Sequence, residues 1–448
     1  MRKGIPWNLL SLTIALFFRN CTALAVPQNY IDSNDSLSIT ASTDGWRKLL
    51  SHYTTDSIDS LLNVQVMQDH IAGAVVQIAR GGVILYKKAY GFAQKFEDVN
   101  NCMVRLNDPE PMTTEKLFDL ASLTKVFATT FGVMILVDRG EIRLDDPVHL
   151  YLKEFTGGKK SKVTIRQLLN HTSGLNEWQP IYYHARNKVE AYRYICRLPL
   201  KYEVGEARHY SDLGFMMLGY LIEKVSGEPL DVFLSKELYE PLGLKRTTFN
   251  PLRHGFSKSE IVATSHGNPF EYHMVADPNF AYKTNENVKA FAGWRHYTLR
   301  GEVNDGNAYY ANGGVAGHAG LFSTASDLQV LTDLMLNKGS YNGKVFIEPD
   351  VVKEFVTEDE FGNGLGWDMN PEIIDSRGAP EGTYGHTGFT GTSVVIIPKY
   401  KLSILLLTNR QNVGVDKAGY YYNLNPVRQK LVDIVLREVR HTEEHMVK

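Results

Sequence analysis

Ser122 and Lys125 stand three residues apart in the stretch FDLASLTKVFATT, which begins at Phe118. At positions i and i+3 of a helix, two side chains share one face. If the serine sits at the helix N-terminus, its own backbone N–H lacks an intrahelical partner and can bind an oxyanion. A serine hydroxyl is a poor nucleophile at neutral pH and needs a neighbouring base. A lysine can be that base if burial lowers its pKa, or it can hold a second group in its deprotonated form. This is the only Ser-x-x-Lys in the chain, but chance alone supplies one in a sequence this long. Two further elements bear on it. Tyr210-Ser211-Asp212 precedes the apolar run LGFMMLGYLIEKVSG, and His386-Thr387-Gly388, continued by Phe389-Thr390-Gly391, enters a β-rich run. Each has a plain reading in isolation: a helix cap for the first, a turn before a strand for the second.

In this order the three elements resemble the active-site set of serine β-lactamases and penicillin-binding proteins. The nearest pattern is the branch of class C β-lactamases and D-alanyl-D-alanine carboxypeptidases, with Ser-x-x-Lys, then Tyr-x-Asn, then Lys- or His-Thr-Gly. LLNHTSGL (Leu168 to Leu175), AGLFSTASDL (Ala319 to Leu328) and GLGW (Gly364 to Trp367) also belong to that family's vocabulary. The resemblance spans about Gly73 to Leu407. YSD, GGVAGHAGLFS and YGHTGFTGT together resemble its carboxypeptidases of the penicillin-binding protein 4B type.

The resemblance implies roles residue by residue. Ser122 is the acylated nucleophile and Lys125 its partner. Tyr210 is the general acid/base opposite them, and His386 extends the network from a strand where many relatives use lysine. The backbone N–H groups of Ser122 and Phe389 form the oxyanion hole. Gly388 lets the strand approach the substrate, and Thr390 continues that substrate-binding turn. His318, in a second His-x-Gly, lines the cleft or is structural; strand context favours His386 for the third motif. His171 reads as a packed turn residue, and Trp367, Tyr309 and Tyr310 as packing. The implied substrates are peptidoglycan stem peptides, with β-lactams as covalent ligands and no cofactor or metal. An esterase or weak β-lactamase of the same fold is the alternative, and a penicillin-binding or scaffold module with little turnover is a third.

Two departures qualify this. Asp212 stands where the family has an asparagine, and an ionised carboxylate cannot donate to a substrate carbonyl. It can accept from Lys125 or from a substrate N–H. The alternative register sets Ser211-Asp212-Leu213 against Ser-Asp-Asn, again without the asparagine. His386 in place of lysine titrates near neutrality, so a positive charge there is expected to fade above about pH 6.5–7.

The elements that position these residues are legible in outline. AGAVVQIARGGVILYKKAYGFA gives two β-rich runs around Gly81-Gly82, and two apolar runs meet at Pro398-Lys399-Tyr400. Helical patterning fills about 113–250, a loop-rich stretch about 251–319, and STASDLQVLTDLMLN is a capped helix. The expected architecture is α/β (α+β), class C β-lactamase-like. It has a mixed, mainly antiparallel sheet from about 45–112 and 320–440, flanked by helices, plus a largely helical insertion, with the site in the cleft between. The whole of 45–440 reads as one catalytic unit.

With 448 residues, 43% hydrophobic and 22% charged, the chain suits a large folded core. A net charge of -2 argues against nucleic-acid or anionic-membrane partners. Arg2 and Lys3, an apolar run from Trp7 to Phe18, and Ala23-Leu24-Ala25 read as a signal peptide over 1–25, cut after Ala25. The expected location is periplasmic or secreted, or membrane-anchored if the segment is retained. Residues 26–44 read as a flexible leader. Export leaves Cys102 and Cys196, read as free thiols.

Overall fold

The computed structural model describes residues 50–446 apart from 370, 372–373 and 375–377. The signal and leader expected over 1–44 lie outside the described residues.

Helix α1 (His52–Met67) leads into a hairpin of β1 (Gly73–Arg80) and β2 (Val83–Val99). Gly81 and Gly82 make the turn, with φ of +56° and +77°, a region glycine reaches without strain. A second turn at Asn100-Asn101, also at positive φ, returns the chain as β3 (Cys102–Pro111), a strand that the sequence pattern did not separate. The middle of the chain supplies α2 (Phe131–Asp138), α3 (Asp212–Ser226), α4 (Pro269–Ala276) and α5 (Ala325–Leu336). The remaining sheet strands are β4 (Asp368–Met369), β5 (Tyr384–Thr387), β6 (Ser393–Ile397) and β7 (Leu402–Thr408), followed by α6 (Asn425–Met446).

These strands form one seven-stranded antiparallel sheet in the order β4-β5-β6-β7-β1-β2-β3. Its two halves join only at β1 and β7, where Val76 faces Leu406. Folding therefore requires the two ends of the chain to meet. On one face, Ile58 and Leu62 of α1 and Leu431 and Val435 of α6 pack on Val76, Ile78, Ile404 and Leu406. The other face carries α5 and the helical region; there Gln77 donates to the Ala325 carbonyl and to Gln329. Both faces are covered, which explains why β1 and β7 are apolar without alternation.

A small three-stranded sheet sets the approach to Ser122. Phe118–Asp119 pairs with Leu321–Ser323, which also pairs with Thr248–Phe249. Cys102 is exposed and Cys196 buried, and both are free, as expected. Among the described residues, no helix is long and apolar enough to cross a membrane.

Candidate active site

The chain reaches Ser122 through a strained turn. Ala121 sits at φ +46°, a region that costs a residue with a side chain about 1 kcal/mol or more. Asp119 holds the turn. Its Oδ1 accepts from the Ala121 N–H at 2.9 Å, and its Oδ2 accepts from the Asn304 N–H at 2.6 Å. Burial pushes the Asp119 carboxyl up to about 6, against the pull of these two N–H donors. The helix after Ser122 opens as a wide π-type stretch, Lys125–Thr130, every residue buried, before tightening into α2. Such wide turns recur at functional sites.

Lys125 is fully buried and all three of its ammonium protons are placed. Nζ donates to Ser122 Oγ at 3.0 Å, to Asp212 Oδ1 at 2.7 Å and to the His318 carbonyl at 3.4 Å. It also lies 4.7 Å from the centre of the Tyr210 ring. Burial disfavours its charge, but the Asp212 carboxylate and Tyr210 overcome that, and its pKa rises above the ordinary lysine value. Lys125 therefore rests as an ammonium, not as a free base. Of the two readings of Asp212, the structure shows the one in which it accepts from Lys125. Burial likewise raises the Tyr210 phenol, despite the opposing pull of Lys125, so Tyr210 rests protonated.

Tyr210 and Asp212 flank the cap of α3. Ser211 Oγ accepts from the Gly214 N–H and donates to the Asn176 carbonyl. The Ser211 N–H donates to His171 Nδ1 at 3.0 Å, and the His171 ring packs 4.5 Å from that of Tyr210. His171 is thus the packed turn residue expected, and it fixes Tyr210 from behind.

One expectation, the charge on His386, is corrected. His386 lies on β5 with its ring 6.0 Å from the Tyr210 ring. Its Nδ1 donates to the Thr387 carbonyl, and its buried Nε2 has no hydrogen-bond partner among the described residues. Burial, aided by Lys125 and opposed by Asp368, lowers its pKa. The positive charge expected up to pH 6.5–7 is therefore already lost below that range. Gly388 packs closely within the protein: a Cβ there would lie 2.3 Å from the Leu120 carbonyl oxygen and 2.1 Å from Thr392 Oγ1. Thr390 is turned inward, its hydroxyl donating to the Asp119 carbonyl at 2.7 Å. Both residues brace the strand after His386 against the Asp119–Ala121 turn.

Among the described residues, no acceptor is bonded to the backbone N–H of Ser122 or Phe389, the pair assigned to the oxyanion hole. The Phe389 carbonyl is held by Arg410, from Nε at 3.2 Å and Nη2 at 2.8 Å. Its ring is 37% exposed, facing a cavity of about 430 Å³ beside Ser122. Tyr210, Asp212 and His318 also line it. So do residues the sequence did not single out: Asp305, Glu271, Trp178, Tyr282 and Phe270. His318 Nε2 pairs with Asp305 Oδ1 at 2.9 Å. Burial opposes the ionisation of Asp305, yet His318 draws its pKa below the usual carboxylate value. Burial and the neighbouring Asp305 push Glu271 up to about 8. The length of the irregular stretch before Gly320 was the signal for Phe270, Glu271, Tyr282 and Asp305, since loops that long usually serve a site, whereas Trp178 had none. Asp212, Asp305 and His318 have donor atoms within 4.8 Å of one another, close enough to hold a metal ion in principle. The ammonium of Lys125 already lies against Asp212.

A family model described as Beta-lactamase matches residues 50–426, and the chain belongs to that family. It is 35% identical over 428 residues to the N-acetylmuramyl-L-alanine amidase of Bacillus subtilis (strain 168), covering 90% of each chain. It is 36% identical over 360 residues to a protein of Escherichia coli (strain K12) provisionally named D-alanyl-D-alanine carboxypeptidase, covering 75% of this chain and 78% of that one. A penicillin-binding protein homologue from Caulobacter crescentus shares the fold at TM-score 0.63 and 18% identity, over 87% of this chain and 98% of that one. EstCE1, a hydrolase with promiscuous acyltransferase activity, does so at TM-score 0.61 and 21% identity, over 86% and 98%. The protein is a hydrolase of the serine β-lactamase and penicillin-binding protein fold.

Proposed function

We propose that this chain is an exported amide hydrolase of peptidoglycan fragments, working through an acyl-enzyme on Ser122. The observation that carries the reading is the continuous chain Ser122 Oγ–Lys125 Nζ–Asp212 Oδ1, with steps of 3.0 and 2.7 Å, at the wall of the cavity. Lys125 passes one proton to Asp212 and takes the hydroxyl proton of Ser122 as Oγ attacks the amide carbonyl. The N–H groups of Ser122 and Phe389 receive the developing oxyanion. Tyr210, resting as a phenol, gives its proton to the departing amine and is reprotonated through Lys125. Water then attacks the ester and the same groups run in reverse.

Of the two activities its relatives are named for, N-acetylmuramyl-L-alanine cleavage fits better. Asp212 and Asp305 put acidic side chains on the cavity wall, and burial of His386 disfavours the positive charge that a terminal carboxylate would need. That relative is also matched over 90% of this chain. The second reading is the D-alanyl-D-alanine carboxypeptidase, favoured by the order of the Ser122, Tyr210 and His386 motifs.

The test is mass spectrometry of products from an N-acetylmuramyl-L-alanyl peptide and from an acetylated peptide ending in D-Ala-D-Ala, with Ser122→Ala alongside. Faster Ser122-dependent release of the L-alanyl peptide is the expected result. Faster release of free D-alanine would make the carboxypeptidase reading the correct one. Hydrolysis that survives Ser122→Ala would overturn both.

A further inference from the structure

The strand that carries His386 ends in a tight turn, and two arginines from the last part of the chain hold that turn from behind. The Gly388 N–H donates to the Thr392 carbonyl at 2.8 Å, and the Gly388 carbonyl accepts from the Gly391 N–H at 3.0 Å. Arg428 of α6 donates through Nη2 to the same Thr392 carbonyl at 3.0 Å. Arg410 opens a single helical turn, Arg410–Val413, just after β7. Its Nε and Nη2 both donate to the Phe389 carbonyl, at 3.2 and 2.8 Å, while Nη1 donates to the Tyr422 carbonyl at 2.8 Å. The guanidinium also lies 5.4 Å from the centre of the Phe389 ring.

These bonds set the direction of one N–H group. The Gly388–Phe389 peptide is trans, so its N–H points opposite to its carbonyl. That carbonyl is turned inward to Gly391, which sends the Phe389 N–H away from the turn. The donor is thus placed by two neighbouring carbonyls, one bonded within the turn and the other bonded by Arg410. A planar guanidinium can give two N–H groups to one oxygen while its far edge holds another carbonyl, and a lysine ammonium has no such fork. Among the described residues the hydrogen-bond acceptors of Arg410 are backbone carbonyls, not carboxylates.

From this geometry we infer that Arg410 is a positioning residue for acyl transfer. By clamping the Phe389 carbonyl it aims the Phe389 N–H at the oxyanion that forms as Ser122 attacks. The inference rests on the acyl-enzyme reading proposed above, in which that N–H and the N–H of Ser122 receive the oxyanion. A hydrogen bond weakens steeply as its angle bends, and a misaimed donor costs most where charge develops, in the transition state.

The experiment uses 4-nitrophenyl acetate and its thiono analogue, in which sulfur, a weaker acceptor, replaces the carbonyl oxygen. Each kcat/KM is divided by that ester's rate constant with hydroxide, and the oxo value is then divided by the thiono value. This ratio reads the N–H donors, and the fraction of folded protein cancels from it. In the unaltered protein it should be roughly ten or more. Arg410→Met should lower the oxo kcat/KM about tenfold or more and shrink the ratio at least about threefold. Arg410→Lys, which keeps the charge but not the fork, should fall between the two, and it decides if Arg410→Met does not fold. Equal losses for both esters, with the ratio unchanged, would make Arg410 a structural residue and overturn this inference alone. A ratio near one in the unaltered protein, or hydrolysis that survives Ser122→Ala, overturns the reading beneath it as well.

Discussion

The two faces of the central sheet are built on opposite terms. Against α1 and α6 the contact is mainly apolar, with Ile58, Leu62, Leu431 and Val435 all buried, and with buried charges at Arg80, paired with Glu443, and at Arg428, donating to the Thr392 carbonyl. The opposite side also has a large apolar core, but it buries Lys125, Asp119, Glu271, Arg295 and His318 as well. Burying ionisable groups opposes folding unless each finds a partner. The helical face accepts that cost around Ser122, and the sheet and its outer helices supply cohesion that is independent of the chemistry. Stability and reactivity are thus carried largely by different sides of one sheet.

Removing the nucleophile breaks this division most cleanly. Ser122→Ala should lower turnover by on the order of 10³ or more with no change in melting temperature, read by steady-state kinetics and calorimetry. Lys125→Met comes next. It should cost about 10²–10³ in kcat/KM and, because Asp212 loses its buried counter-ion, about 1–3 kcal/mol in stability as well. A Lys125→Met protein with wild-type kcat/KM would falsify the proton relay.

The outer face should respond in the opposite sense. Leu62→Ala opens a cavity between α1 and the sheet, worth about 2–4 kcal/mol by denaturant titration. The kcat of the folded fraction should stay unchanged. The smallest effect expected concerns Glu271. Its folded pKa, about 8, lies above its ordinary value. The folded state therefore keeps a proton that the unfolded chain has already released. Stability falls as pH rises between the two values and the slope ends near pH 8. Gln at 271 mimics the protonated form and has no such slope. Melting curves from pH 5 to 8 should show the natural chain losing about 1–3 kcal/mol relative to Glu271→Gln.

The reach of sequence reading follows the same boundary. Hairpins at Gly81-Gly82 and at Pro398–Tyr400 were readable because turn chemistry is local. So was α3, bounded by Ser211 and by Gly227 at φ +74°. The strand β3 was missed because its residues are largely exposed and carry no apolar alternation. Within the site, Ser122, Lys125, Tyr210 and Asp212 could be named from spacing and resemblance. The contacts of Gly388 and Thr390 with residues 119–121 were not legible, because a motif does not show which neighbour a residue meets. Asp305 and Trp178 lie 183 and 56 residues from Ser122 in the chain, and no spacing relates them to it.

By itself the sequence determined the local pieces: turns, caps, the helical run after Ser122, and the family's three motifs in order. Only the tertiary structure decided their electrical state. Whether Lys125 is a base or an ammonium depends on Asp212, 87 residues away. Whether His386 is charged depends on how deeply β5 is buried. Charge state is set by burial and by neighbours within a few ångströms, and those neighbours are chosen by the fold.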